Sequence, residues 1–201
     1  MIRNIIFDLG NVIFNFKPGD FLHKFTTDDD YIRYFISNVI RSKIWLELDR
    51  GTISIKKAEE EFISKFPEDR EFIETFFIYW MEMLTPIQEN VEILYDLKSN
   101  GYNIYILSNF IIEAYEFVKN KYEFLSLFDG KIISGQVKLI KPELEIYRKL
   151  VNKYGLIPEE CIFIDDVRSF LSRAKKLNMK TILFLQNTNL RKELRNLKVK
   201  I

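Results

Sequence analysis

Five short apolar runs recur along the chain and limit what it can fold into. They are Ile5–Asp8, Tyr102–Leu107, Lys131–Ser134, Cys161–Asp165 and Thr181–Leu185. Each is rich in β-branched or aromatic residues and too short for a helix, so each reads as a buried strand. Helical patterns lie between the later runs. Asn90 to Asn100 stops at Gly101, Ile146 to Tyr154 stops at Gly155, and Val167 to Leu177 leads into the last run. A glycine just past a helix is a common stop, because it enters the left-handed region without strain. Strands alternating with helices predict a parallel sheet with helices on both faces, an α/β, doubly wound, Rossmann-like core.

The region from about Pro18 to Pro86 breaks that rhythm. Ser54 is placed to cap a helix whose Ile55, Ala58, Phe62, Ile63 and Phe66 share one face. Phe72, Ile73, Phe76, Phe77, Trp80, Met81 and Leu84 form a second, aromatic stripe, which reads as the core of a helix bundle. Asp28, Asp29 and Asp30 read as a cap and an acidic first turn for another helix rather than as a cation site. A chain of 201 residues has room for one domain carrying an insertion. The expected division is a core of residues 1–17 and 86–201, with an all-helical insertion at 18–85. Leu190, Leu194 and Leu197 predict a surface helix with a basic, solvated outer face near the C-terminus.

Bulk properties narrow the partners. Thirty Lys+Arg against 29 Asp+Glu give a net charge of +1, so no global field points to nucleic acid or an anionic membrane. The longest apolar stretch, Phe76 to Met81, is far too short to cross a bilayer. The single cysteine, Cys161, has no internal disulfide partner, suits a reducing compartment and reads as core. No secretory leader is visible, because Asp8 interrupts the apolar run near the N-terminus. A cytoplasmic protein acting on a small molecule is the expectation.

In open parallel sheets, ligands bind beyond the carboxyl ends of the strands, where strand order reverses. The residues that end each strand therefore matter most. The first run ends in Asp8, the second in Ser108 and Asn109, and the fourth in Asp165 and Asp166, while Lys141 precedes Pro142 ahead of the helix that leads to the fourth. Taken singly, Asp8, Ser108 and Asp166 read as helix caps. Taken together, they put three acids, a hydroxyl, an amide and an ammonium on one sheet edge. Tandem acids repel one another, and a divalent cation relieves the repulsion. Adjacent strand residues face opposite ways, so one of the pair would ligate while the other orients water or Lys141.

FDLGNV, LSN, KP and FIDD, in that order, resemble the four motifs of the haloacid dehalogenase (HAD) superfamily. The helical insertion resembles that superfamily's small α-helical cap. FDLGNV, together with WLELDRGTIS in the insertion, looks most like a bacterial branch of sugar-phosphate phosphatases that includes glucose-1-phosphate phosphatases. The resemblance implies that Asp8 is a nucleophile forming an aspartyl-phosphate. It implies Mg²⁺ held by the Asp8 side chain, the Gly10 carbonyl and Asp166, with Asp165 in support. It also implies that Ser108, Asn109 and Lys141 hold the phosphoryl oxygens.

The chain departs from this pattern in three places. Most such phosphatases carry an acid–base aspartate two residues after the nucleophile, and here that position is Gly10. After FIDD stand Arg168, Phe170 and Arg173 in place of an asparagine and small residues, and Asn178 stands where a glycine is common. The expected activity is a Mg²⁺-dependent phosphatase for a small phosphorylated metabolite, with a sugar-1-phosphate first in line. An acidic leaving group of that kind least needs the absent acid. His23, the lone histidine, is a weaker candidate for that acid. A dehalogenase would not need the acid at all, but leaves Asp165 and Asp166 unexplained. A non-catalytic binding protein of the same fold leaves the retained Asp8 and Lys141 unexplained.

Overall fold

A computed structural model describes residues 1–201. Five strands form one sheet: β1 (Asn4–Phe7), β2 (Asn103–Ser108), β3 (Gly130–Ile133), β4 (Cys161–Asp165) and β5 (Lys180–Leu183). All pair in parallel, in the order β3-β2-β1-β4-β5. The chain runs outward from β1 through β2 to β3, then returns to the other side of β1 for β4 and β5. The reversal falls between β1 and β4, and Phe7 pairs with Ile164 there, one residue before Asp8 and Asp165.

Between β1 and β2 the chain forms no further strand; apart from isolated bridges at Gly10, Phe14 and Pro86, its regular elements are helices. They are α1 (Pro18–Leu22), α2 (Asp29–Phe35), α3 (Lys43–Arg50), α4 (Ile55–Lys65), α5 (Arg70–Tyr79) and α6 (Gln88–Ser99), with a π turn after α2 and 3₁₀ turns on either side of α5. Then come α7 (Ile112–Lys121), α8 (Ser134–Val137), α9 (Leu144–Tyr154), α10 (Arg168–Lys175) and α11 (Leu190–Asn196). The anticipated caps are in place. Asp28 accepts from the Asp30 and Tyr31 amides, and Ser54 accepts from Lys57. Asn178 takes the left-handed conformation at φ 66°, which asparagine tolerates better than other side chains, so this position does not need glycine. None of the helices is long and apolar enough to cross a membrane.

Side-chain alternation along the strands divides the core. Ile5, Phe7, Ile104, Ile106, Ile162 and Ile164 face α6, α7 and α11, in an apolar cluster that continues into the helical segment 18–83. Ile6, Tyr105, Leu107 and Phe163 face α9 and α10. Cys161 is buried on this second face as expected, and burial pushes its thiol up to about 11. The aromatic stripe packs as core, with Phe35, Trp45, Phe76 and Phe77 in edge and tilted contacts.

The helical segment touches the rest of the molecule on two sides. Its entry and exit run together, with the Asn15 amide and side chain both bonded to Thr85. On the far side, Gly51 ends α3 in the left-handed region at φ 74° and presses against Gly135 of α8. A β-carbon at position 51 would come within 2.4 Å of the Gly135 carbonyl oxygen.

Candidate active site at the strand reversal

Asp8, Ser108, Asn109, Lys141, Asp165 and Asp166 converge at the carboxyl ends of β1, β2 and β4. Lys141 is 1% exposed and lies at the centre. Its ammonium is 2.9 Å from Asp8 Oδ1 and 2.6 Å from Asp165 Oδ2, with the Phe163 and Phe170 rings at 5.4 and 5.0 Å. Burial pushes the amine down, but the two carboxylates outweigh burial and the net shift is upward, so Lys141 is held as a cation. The Asn109 side chain grips the Lys141 peptide from both sides, accepting from its amide at 2.7 Å and donating to its carbonyl at 3.0 Å. Phe170, from the first turn of α10, thus forms part of the wall around the ammonium.

The tandem acids divide their work as strand alternation predicts. Both Asp165 oxygens are engaged, one by Lys141 and the other by the Val167 amide at 2.8 Å. Asp166 accepts only from the Asn11 side chain, at 3.0 Å. Neither Asp8, Ser108 nor Asp166 caps a helix. Instead α7 starts after Ile111 and α10 after Val167, each without a side-chain cap.

Three buried side-chain polar atoms in the protein lack a hydrogen-bond partner: Asp8 Oδ1, Ser108 Oγ and Trp80 Nε1. The Lys141 ammonium lies near Asp8 Oδ1 but outside hydrogen-bonding geometry. Such orphans are rare and costly; Asp8 Oδ1 adjoins the Lys141 charge, Ser108 Oγ ends the adjacent strand β2, and Trp80 belongs to a wall of the neighbouring cavity. The acceptor oxygens of a tetrahedral anion would satisfy the two donors, the Ser108 hydroxyl and the Trp80 N–H, whereas Asp8 Oδ1, an acceptor, calls for a donor or a cation.

Asp8, Asp165 and Asp166 offer one carboxylate oxygen each within 4.8 Å of one another. Three carboxylates against one ammonium leave excess negative charge. Burial and Asp8 accordingly push Asp166 up, and burial pushes Asp165 up to about 7 against the pull of Lys141. The arrangement fits a hard divalent cation that prefers oxygen ligands. Asp8 and Asp166 have oxygens to spare for it, whereas Asp165 is committed to Lys141.

A cavity of about 90 Å³ opens beside this cluster, lined by Gly10, Phe16, Trp45, Asp49, Trp80, Leu84, Asn109, Phe110, Ile111 and Ala114. Asp49 comes from the last turn of α3. Crowding by the surrounding protein, then the charge of Asp8, push its carboxyl up to about 7, with Lys141 acting the other way. His23 does not border this cavity; it is half exposed and lies 3.4 Å from Asp29.

Sequence reasoning singled out neither Asn11 nor Asp49. Asn11 adopts φ 53° while its side chain joins Asp166 to the Phe16 amide. Its signal was the Gly10-Asn11 pair, which reads only as a turn. For Asp49 the signal was an acid one turn past Trp45 and just before the Gly51 stop.

The haloacid dehalogenase-like hydrolase family matches residues 2–169. The chain is 25% identical over 200 residues to drimenol cyclase drtB of Aspergillus calidoustus, covering 98% of this chain but only 37% of the cyclase. It is 24% identical over 174 residues to sesquiterpene phosphatase astK of Aspergillus oryzae, covering 87% and 85% of the two chains. A HAD family enzyme from Bacteroides thetaiotaomicron, solved with magnesium and inorganic phosphate, shares the fold. Its TM-score is 0.75 at 21% identity, over 97% of this chain and 100% of that one. The motif order, the sheet topology and a family match over most of its length agree: the chain belongs to the haloacid dehalogenase-like hydrolases.

Proposed function

We propose that this protein is a Mg²⁺-dependent phosphatase that hydrolyses a small phosphate monoester through an aspartyl-phosphate on Asp8. The observation that carries the reading is the buried Asp8 carboxylate ion-paired to Lys141 at 2.9 Å, with the buried Ser108 hydroxyl, which has no hydrogen-bond partner, at the end of the adjacent strand. It sets a carboxylate against a fixed positive charge and leaves a hydroxyl free to donate on the neighbouring strand end. Lys141 holds the phosphoryl oxygens as charge shifts onto them, Ser108 donates to one, and Asn109 keeps Lys141 in place. The bond from an Asp8 oxygen to phosphorus forms as the ester bond to the leaving oxygen breaks. Water then attacks phosphorus, the bond to Asp8 breaks, and inorganic phosphate leaves. Mg²⁺, held by Asp8, Asp166 and the Gly10 carbonyl, would supply charge neutralisation for the phosphoryl group.

A sugar-1-phosphate follows from the resemblance to glucose-1-phosphate phosphatases. The cavity lining favours a second reading, the ester of an apolar alcohol. Seven of its ten lining residues are hydrophobic, and its side-chain polar groups are limited to Asp49, Asn109 and the indole N–H groups of Trp45 and Trp80. The hydroxyls of a hexose would face apolar walls, at a cost for each one left unpaired. Similarity to a sesquiterpene phosphatase supports the apolar reading.

The test is phosphate release from sugar-1-phosphates, prenyl phosphates and aryl phosphates, with Mg²⁺ and with EDTA, for the native protein and Asp8→Asn. Turnover that needs both Mg²⁺ and Asp8 is expected. Halide release from a 2-haloacid in EDTA would replace this reading with a dehalogenase.

A further inference from the structure

We propose that Asp49 is the proton donor to the departing oxygen, and that it acts from the helical segment in place of a carboxyl group at position 10. The inference rests on the phosphatase reading above.

Expelling an alkoxide without a proton is slow, so a phosphatase of alkyl esters needs an acid near the leaving oxygen. The acids of the strand-end cluster are otherwise engaged. Asp8 attacks, Asp165 is tied to Lys141 and the Val167 amide, and Asp166 is tied to Asn11. His23 pairs with Asp29 away from the cavity. Gly10 offers only backbone, and a β-carbon there would meet nothing within 4 Å. Across that open space, Asp49 is the one ionisable side chain lining the cavity that Gly10 and Asn109 also line. Its carboxyl forms no hydrogen bond or ion pair, so nothing in the fold has claimed it.

The backbone around Asp49 is fixed as a proton donor's must be. Its carbonyl accepts from the buried Ser134 hydroxyl at 2.6 Å. Arg50 makes a two-pronged contact with Glu143, at 2.6 and 3.0 Å, and Glu143 also accepts from the Ile140 amide next to Lys141. The Gly51 carbonyl accepts from Lys138. These contacts tie the end of α3 to the same loop that carries Lys141, so acid and ammonium hold a common frame. Crowding and the Asp8 charge raise the carboxyl toward neutrality, which favours the protonated form that the first step requires.

In that step the electron pair of the breaking P–O bond goes to the leaving oxygen, which takes the Asp49 proton. In the second step the Asp49 carboxylate removes a proton from the attacking water as the Asp8–phosphorus bond breaks. Asp49 is left protonated and Asp8 ionised, so the cycle closes.

The experiment is a series of phosphate monoesters, from 4-nitrophenyl to simple alkyl, assayed with saturating Mg²⁺ on the native protein, Asp49→Asn and Asp49→Glu. Asp49→Asn is expected to lower kcat for alkyl esters by about 10²–10⁴-fold while changing the nitrophenyl ester, which needs no proton, by less than about tenfold. Asp49→Glu is expected to recover part of the alkyl activity, which a merely structural role would not produce. An equal loss on every ester, or a native protein already as sensitive to the leaving group as Asp49→Asn, overturns the proposal. Nitrophenyl phosphate turnover that depends on Asp8 establishes the phosphatase reading separately. If no ester is turned over, that reading fails and this proposal falls with it.

Discussion

Asn11 adopts φ 53° while its amide holds Asp166, so one residue both makes the turn after β1 and orients an acid of the site. For side chains that tolerate it poorly, the left-handed conformation costs about 1–2 kcal/mol. Asn11→Ala is expected to lower stability by about that amount in denaturant melts. Loss of the donor to Asp166 is expected to raise the Mg²⁺ needed for half-maximal activity by about 10–100-fold; an unchanged Mg²⁺ midpoint would detach Asn11 from cation binding. Gly10 gives a complementary test. With no atom within 4 Å of its would-be β-carbon, Gly10→Asp has room for a carboxyl. In an Asp49→Asn background it is expected to restore at least tenfold of the lost alkyl-ester turnover, and no gain would mean that position 10 does not reach the leaving oxygen. At this scale the strand-end residues were legible because each polar residue interrupts an apolar run. Asn11 and Asp49 were not, because their roles depend on partners 155 positions away for Asn11 and 85 for the Asp49 carbonyl. Local spacing carries no trace of such pairs.

Among the elements, α3 joins the helical segment to the chemistry. Trp45 and Leu48 of α3 are buried, Asp49 borders the cavity, and Arg50 reaches Glu143. The two charged partners are each about one-third exposed, so the pair is expected to add no more than about 1 kcal/mol to stability. Arg50→Ala should therefore melt close to the native protein. Its leaving-group sensitivity is nevertheless expected to move in the direction of Asp49→Asn, by a smaller factor, because the acid loses part of its frame. Identical sensitivity in the variant and the native protein would show that the Arg50–Glu143 fork does not position Asp49. If the segment moves as a cap, the paired connection at Asn15 and Thr85 is its pivot. Periodicity revealed the existence and the buried faces of these helices. It could not reveal which end of α3 meets the sheet, since that is set by contacts with α8.

For the molecule as a whole, the resting site carries excess negative charge and unpaired buried atoms. Ligands that bind only the folded state stabilise it by mass action, by about 2.7 kcal/mol at a hundredfold excess over Kd. Mg²⁺ with inorganic phosphate is therefore expected to raise the melting temperature, and EDTA to remove both the rise and the activity. A melting curve indifferent to Mg²⁺ would count against a cation at Asp8 and Asp166. The parallel sheet and its helical layers were legible from the alternation of short apolar runs with helices. The identity of the preferred ester was not, because the cavity is assembled from the loop after β1, α3, the turn after α5, the loop after β2 and α7, which are distant in sequence.

Gly51 and Gly135 meet backbone to backbone, and a side chain on either would press on atoms that have nowhere to go: a β-carbon on Gly135 would come within 2.9 Å of Ile112 and 3.0 Å of the Phe110 carbonyl. In a survey of all single substitutions, these two positions should stand out as intolerant even to alanine, although neither carries a functional group. Their intolerance would have separate sources, since a side chain on Gly51 presses on Gly135 across the seam and one on Gly135 presses on Ile112 and Phe110 instead. A natural or designed relative that replaces Gly51 would have to widen the seam, and with it the distance over which a proton must travel from α3.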